Sequence, residues 1–213
     1  MTTVVSVERD GAGRARSALE GAIGRGEVAI FPADTLYGLA CDPLNGEAVE
    51  RIHATKGRKD RKPSAVMYFS PLAMRELIAG LGPRTRDAVG ALLPGPLTLV
   101  IANPERRYPL ACREDPERLG VRLIEGPLAG AMTPILQTSA NRSGAPAPTR
   151  FDAIDPEILA AADLAIDAGE LIGEPSTVVD VSGIDAGGDW EILREGALPA
   201  AEIESRLRSV VQG

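Results

Sequence analysis

Hydrophobic positions in this chain come in short runs separated by glycine, proline and polar turns, and the runs change period from one to the next. Val4 to Val7 alternates as a strand does, and Asp10-Gly-Ala-Gly follows it. Ala15, Ala18, Leu19, Ala22 and Ile23 fall at helical spacing, so Arg14 to Ile23 predicts a helix closed by Gly24 and Gly26. Val28 to Phe31 is a strand that stops at Pro32. Gly46 to Thr55 is a second helix with Ala48, Val49 and Ile52 inward, and His53 sits on or near that face as a packing residue. Next come strand Ala65 to Phe69 and helices Pro71 to Ala79 and Thr85 to Leu93. The second helix is stopped by Pro94-Gly95-Pro96, and Leu97 to Ile101 then reads as a buried strand.

Glu105 to Arg118 is charged and aperiodic, which predicts a surface loop. Strand Gly120 to Leu123, a small helix near Leu128 to Met132 and strand Pro134 to Gln137 follow it. Asp155 to Ala162 is a helix, with Asp155 capping and Pro156 at the first helical position. Leu164 to Asp167, Thr177 to Val181 and Trp190 to Leu193 read as strands. Gly187-Gly188 is a turn, and Pro199 to Val211 closes the chain as a helix. Strands and helices interleave throughout. Some strand-to-strand links are too short for a crossover helix, so the expectation is one α/β domain built on a mixed sheet.

Composition narrows the function classes. The 213 residues are 44% hydrophobic and only 3% aromatic, so the core must be built from Ala, Val, Leu and Ile. A net charge of −7 argues against a general nucleic-acid or membrane binder, but it leaves room for a focused basic pocket. Cys41 and Cys112 form no CxxC pair and only His53 could add an imidazole, so no structural zinc site is expected. No run approaches the roughly 18 apolar residues of a membrane span, and no signal pattern opens the chain. A cytoplasmic protein is the expectation.

Charge is concentrated in one place. Between Arg51 and Lys62 stand six Lys/Arg and one Asp, and all three lysines of the chain, Lys56, Lys59 and Lys62, fall within seven residues. Lysine is a compact, mobile point charge where arginine is a planar fork, so the cluster suits anionic oxygens. Four other stretches carry chemistry. Leu136 to Gly144 runs a strand into Thr138, Ser139, Asn141 and Ser143, a turn rich in donors for phosphate or carboxylate oxygens. Pro175-Ser-Thr-Val-Val-Asp180 places two hydroxyls before a buried strand. Arg122 is a cation inside an apolar strand and needs an anion, either a ligand or a protein carboxylate such as Asp180. Arg194 ends the last strand and poses the same choice.

Seven ordered stretches together carry a resemblance: Phe31-Pro-Ala-Asp-Thr-Leu-Tyr-Gly-Leu, Lys56-Gly-Arg58, Pro94-Gly-Pro-Leu-Thr-Leu, Gly120-Val-Arg122, Thr138-Ser-Ala-Asn-Arg-Ser-Gly144, Ser176-Thr-Val-Val-Asp180 and Leu193-Arg-Glu-Gly196. Over about residues 14 to 198 the chain resembles the YrdC family of threonylcarbamoyl-adenylate synthases, in its short, single-domain form. The resemblance implies a twisted mixed sheet with flanking helices around a large concave cavity. It implies an enzyme that joins L-threonine, bicarbonate and ATP, with Mg²⁺, into threonylcarbamoyl-AMP and pyrophosphate. A partner complex would then transfer the group to tRNA; direct contact of this chain with tRNA is left open.

By the same resemblance Lys56 and Arg58 are catalytic. Lys56, Arg58, Lys62, Ser139, Asn141, Ser143 and Arg194 would bind ATP and the leaving pyrophosphate, and Thr35, Arg122 and Ser176 would bind threonine. No resident metal is implied. The chain departs from the family pattern at Ala33, Met67, Leu93, Ile124, Gln137-Thr138 and Ala147, mostly on the threonine side. Two other readings stand beside the synthase: a paralogue acting on another carbamoyl or acyl adenylate, and a non-catalytic nucleotide- or RNA-binding module. Acidity and scarce aromatics weigh against RNA.

Overall fold

The computed structural model describes residues 1–57 and 63–211. Its strands are β1 Thr3–Ser6, β2 Ala29–Pro32, β3 Tyr37–Cys41, β4 Ala65–Tyr68, β5 Leu97–Ala102, β6 Arg118–Leu123, β7 Ile135–Ser139, β8 Leu164–Asp167, β9 Thr177–Asp180 and β10 Glu191–Arg194. The helices are α1 Val7–Asp10, α2 Ala12–Gly24, α3 Gly46–Thr55, α4 Arg75–Ala79, α5 Pro83–Leu92, α6 Pro109–Cys112, α7 Pro156–Ala161 and α8 Ala200–Val211. All ten strands join one sheet in the order β1-β8-β2-β3-β7-β4-β6-β5-β9-β10. It is mixed: β4 pairs with β6 and β5 with β9 in parallel, whereas β2–β3, β3–β7 and β5–β6 are antiparallel. The α/β expectation holds.

Local chemistry explains the element ends. Asn45 caps α3 by accepting from the Ala48 N–H, Pro83 opens α5, and Asp155 accepts from the Glu157 N–H ahead of Pro156. Three sequence expectations change. The helix expected from Pro71 starts only at Arg75, after a turn in which Leu72 N–H donates to Ser70 Oγ. The segment near Leu128 to Met132 is a turn rather than a helix; Gly130, at φ +91°, donates to the Phe69 carbonyl there. The charged stretch from Glu105 is not wholly a surface loop. Pro109 starts the short α6, which buries Ala111 and Cys112, and the buried Asn103 donates to the carbonyls of Arg107 and Pro116.

The sheet's two faces have different fates, and the period of two along each strand decides which residue meets which. On one face Leu39, Val66, Tyr68, Leu97, Leu99, Ile101, Leu119, Val121 and Val179 form the larger core with residues of α3, α5 and α8. On the other face a smaller core of Ala29, Phe31, Ala40, Met67 and Ile135 is covered by Leu19 and Ile23 of α2. That cover reaches only part of the second face. Where it ends, the middle and far strands are left open as a concavity.

Candidate active site

The open part of the second face is a cavity of about 610 Å³. Its floor follows from strand alternation. On β6, Leu119, Val121 and Leu123 go to the core while Arg118 and Arg122 line the cavity with Gly120 between them. On β5 it is Thr98 and Val100, and at β9 Ser176 and Val178. Gln137, Thr138 and Ser139 come from β7, Leu193 and Arg194 from β10, and Ala33, Thr35 and Leu36 from the β2–β3 turn. The cavity thus brings together six residues proposed from sequence: Thr35, Arg122, Ser139, Asn141, Ser176 and Arg194.

Lys56 is not among the lining residues; it is buried behind the wall, at the end of α3. Its ammonium donates to the Asn141 carbonyl at 2.7 Å, to Asn141 Oδ1 at 3.2 Å and to the Ser139 carbonyl. The Lys56 carbonyl in turn accepts from the Ser143 N–H at 2.9 Å. Lys56, at the end of α3, and the Ser-Ala-Asn turn are therefore one unit. Ser139 Oγ donates to Asn141 Oδ1, so two candidate phosphate ligands orient each other. Ser143 is exposed and outside the lining. Arg58 and Lys62 lie outside the described residues.

Arg122 is buried, and it has a protein partner other than the one the sequence suggested. Its Nη2 donates to Asp34 Oδ1 at 2.5 Å. Asp180 instead accepts from Arg118 Nη1 at 2.8 Å and from the Ser182 N–H. The reason is register: Arg118, at the far end of β6, reaches across β5 to Asp180, while Arg122 lies on Met67 of β4, toward the β2–β3 turn. Arg122 has its pKa lowered, first by burial and further by the charge of Arg194, against which Asp34 works to raise it. Asp34 Oδ2 and Arg122 Nε are both buried without a hydrogen-bond partner. Arg194 donates to the Ser176 carbonyl at 2.6 Å and to Ser176 Oγ at 3.2 Å; that hydroxyl also meets Thr98 Oγ1 at 3.2 Å.

Sequence reasoning missed Asp34, Thr98 and the Arg118 pair with Asp115 and Asp180. Spacing could have found Arg118, four residues before Arg122 and so on the same strand face. Of the departures from the family pattern, Ala33, Gln137, Thr138 and Ala147 line the cavity. Met67, Leu93 and Ile124 are core residues.

Chemically, the cavity offers a buried guanidinium with a hydroxyl from Ser176 at one side and an oxygen-rich, lysine-backed turn at another. Among the described residues no three His, Cys, Asp or Glu side chains converge as a metal site. No helix is long and apolar enough to cross a membrane among the described residues.

Comparison with known proteins bears on this arrangement. A threonylcarbamoyl-AMP synthase of Pyrococcus abyssi is 32% identical over 202 residues, covering 89% of this chain and 56% of that protein. A threonylcarbamoyl-AMP synthase of Xanthomonas campestris pv. campestris is 32% identical over 167 residues, covering 74% of this chain and 88% of that protein. The structure of P. abyssi Sua5 complexed with L-threonine superposes with a TM-score of 0.81 at 30% identity, over 97% of this chain and 60% of that one. The family model Sua5_yciO_yrdC, described as "Telomere recombination", matches residues 21–196, and the chain belongs to that Sua5/YciO/YrdC family.

Proposed function

We propose that this chain makes threonylcarbamoyl-AMP and pyrophosphate from L-threonine, bicarbonate and ATP. The observation that carries the reading is the convergence of Thr35, Arg122 and Ser176 with Ser139, Asn141 and Arg194 around one cavity, in a chain whose relatives bear that enzyme's name. The cavity volume of about 610 Å³ lies within the usual range for small-molecule sites.

In this reading Arg122 takes the threonine carboxylate, with Thr35 and Ser176 beside it. The threonine amine, after giving a proton to solvent, attacks the carbon of CO₂, opening one C=O π bond, or that of bicarbonate, whose C–OH bond breaks with loss of water. Either way the N–C bond of a carbamate forms and the nitrogen sheds its remaining extra proton. A carbamate oxygen then attacks the α-phosphorus of ATP; the bond from that phosphorus to the bridging oxygen breaks, and pyrophosphate leaves. No side chain need act as nucleophile. The protein supplies proximity and charge stabilisation. Ser139 and Asn141, pre-set by Lys56, hold phosphate oxygens, and Arg194, with Arg58 and Lys62, offsets the charge of the leaving pyrophosphate. Mg²⁺ enters on the ATP phosphates rather than in a site of the protein's own carboxylates. The product passes to a threonylcarbamoyl-transfer complex that acts on tRNA, in the cytoplasm where ATP and tRNA meet.

The test is pyrophosphate release with ATP, Mg²⁺, labelled bicarbonate and a panel of amino acids. Threonine-dependent release supports the synthase. Release with another acceptor makes the chain a paralogue, and no release with any acceptor leaves a binding module.

A further inference from the structure

Arg122 and Asp34 meet through a single bond, Nη2 to Oδ1, although a guanidinium and a carboxylate can form two in parallel. Both leftover atoms, Arg122 Nε and Asp34 Oδ2, are buried and unpartnered. The Arg122 side chain is 5% exposed and that of Asp34 15%. A pair kept only to fix the fold would be expected to satisfy its own atoms, because unpaired buried polar groups are destabilising. This pair lies against the cavity: Arg122 lines it, as do Ala33 and Thr35 on either side of Asp34. The carboxylate of Asp180, by contrast, is held by Arg118 and by the Ser182 backbone.

We infer that Asp34 is a specificity-determining residue that reads the α-amino group of the amino-acid substrate, so that Asp34 and Arg122 together recognise a zwitterion. The inference rests on the amino-acid site proposed above. An α-amino acid carries its ammonium and its carboxylate on one carbon. A cation and an anion already in contact can therefore meet both groups at once, in reversed order. The two unpartnered atoms are buried beneath the cavity surface, so the pair must part for the substrate. Arg122 then turns its unused edge to the carboxylate, and Asp34 turns Oδ2 to the ammonium. No covalent step is involved.

The experiment measures calorimetric affinity of the full chain for two probes: L-threonine, and the 2,3-dihydroxybutanoate of the same stereochemistry, in which a hydroxyl replaces the amine. Asp34→Asn still offers a neutral oxygen to Arg122 Nη2. It should weaken threonine by about tenfold or more, as expected for loss of a charge-assisted contact, while the hydroxy acid changes by less than about twofold. Asp34→Glu, which keeps the charge, should recover part of the threonine affinity. Circular dichroism confirms that each variant is folded; should Asp34→Asn fail to fold, Asp34→Glu carries the test, since a displaced carboxylate must still weaken threonine more than the hydroxy acid. Parallel weakening of both probes would mean that Asp34 only holds Arg122 in place, and would overturn the inference, as would unchanged threonine binding. Wild-type protein that binds neither probe is a different failure: it removes the amino-acid site itself.

Discussion

The Lys56 ammonium lies 2.7 Å from the Asn141 carbonyl oxygen, 85 positions further along the chain, and this contact welds the end of α3 to the turn after β7. Lys56 is thus both a charge near the cavity and a structural pin.

That double role sets the first prediction. Lys56→Met removes the donor from the Ser139 and Asn141 carbonyls and should cost about 2–4 kcal/mol of stability. ATP affinity should fall with it, because the turn loses its shape. Denaturant unfolding and ATP binding, measured side by side, check this. A variant that loses ATP with unchanged stability would make Lys56 a ligand contact only. Arg58→Ala, on the same basic stretch, should lower ATP affinity several-fold with no such loss of stability.

Arg122→Met leaves Asp34 buried without its cation, which should cost about 3 kcal/mol, and threonine binding should disappear. Pairing the change with Asp34→Asn should recover much of the stability and none of the binding. Melting temperature and threonine protection across the four proteins of the cycle check both halves.

Gly196 passes so close to the start of β9 that a Cβ there would lie 2.7 Å from the Ser176 carbonyl carbon and 2.8 Å from the Thr177 nitrogen. Backbone cannot yield as a side-chain tip can. Gly196→Ala should therefore cost about 1–3 kcal/mol, and by pushing on Ser176 it should also raise KM for threonine. Unfolding curves and steady-state kinetics test the two effects.

Acid stability should depend on Asp180. Burial works to raise its pKa, but bonds from Ser182 and Arg118 outweigh burial and hold the carboxyl below its ordinary value. The folded chain then refuses a proton that the unfolded chain accepts. Its contribution is present above the ordinary carboxylate range and is lost as pH falls through the lower folded value. Asp180→Asn should lower stability near neutral pH and flatten the acid limb of the stability profile, as read by denaturant midpoints across that range.

How much of this could be read beforehand varies with the kind of signal. Helices α3 and α7 were readable to within a residue, α3 from the period of Ala48, Val49 and Ile52 and α7 from the Asp155 cap ahead of Pro156. Strand β3 was not, since Tyr37 to Cys41 is buried on both faces and shows no polar alternation. Within the site, Arg122 was visible as a cation in an apolar strand, but its partner was not. Asp34 is brought to Arg122 by the pairing of β3 with β7 and β7 with β4, which no local pattern encodes. The same holds for Lys56, whose contact with Ser139 and Asn141 depends on how α3 ends against the sheet.

The cavity wall begins at Ala33 and is completed only at Arg194, drawing on turns and strands from nearly the whole length of the chain. A ligand that touches both the β2–β3 turn and β10 therefore acts as a reversible crosslink between distant segments. Its binding free energy adds to the stability of the entire molecule rather than to one loop. Amide hydrogens in β2, β6 and β10 should then slow their exchange together when the site fills, although they lie far apart in sequence.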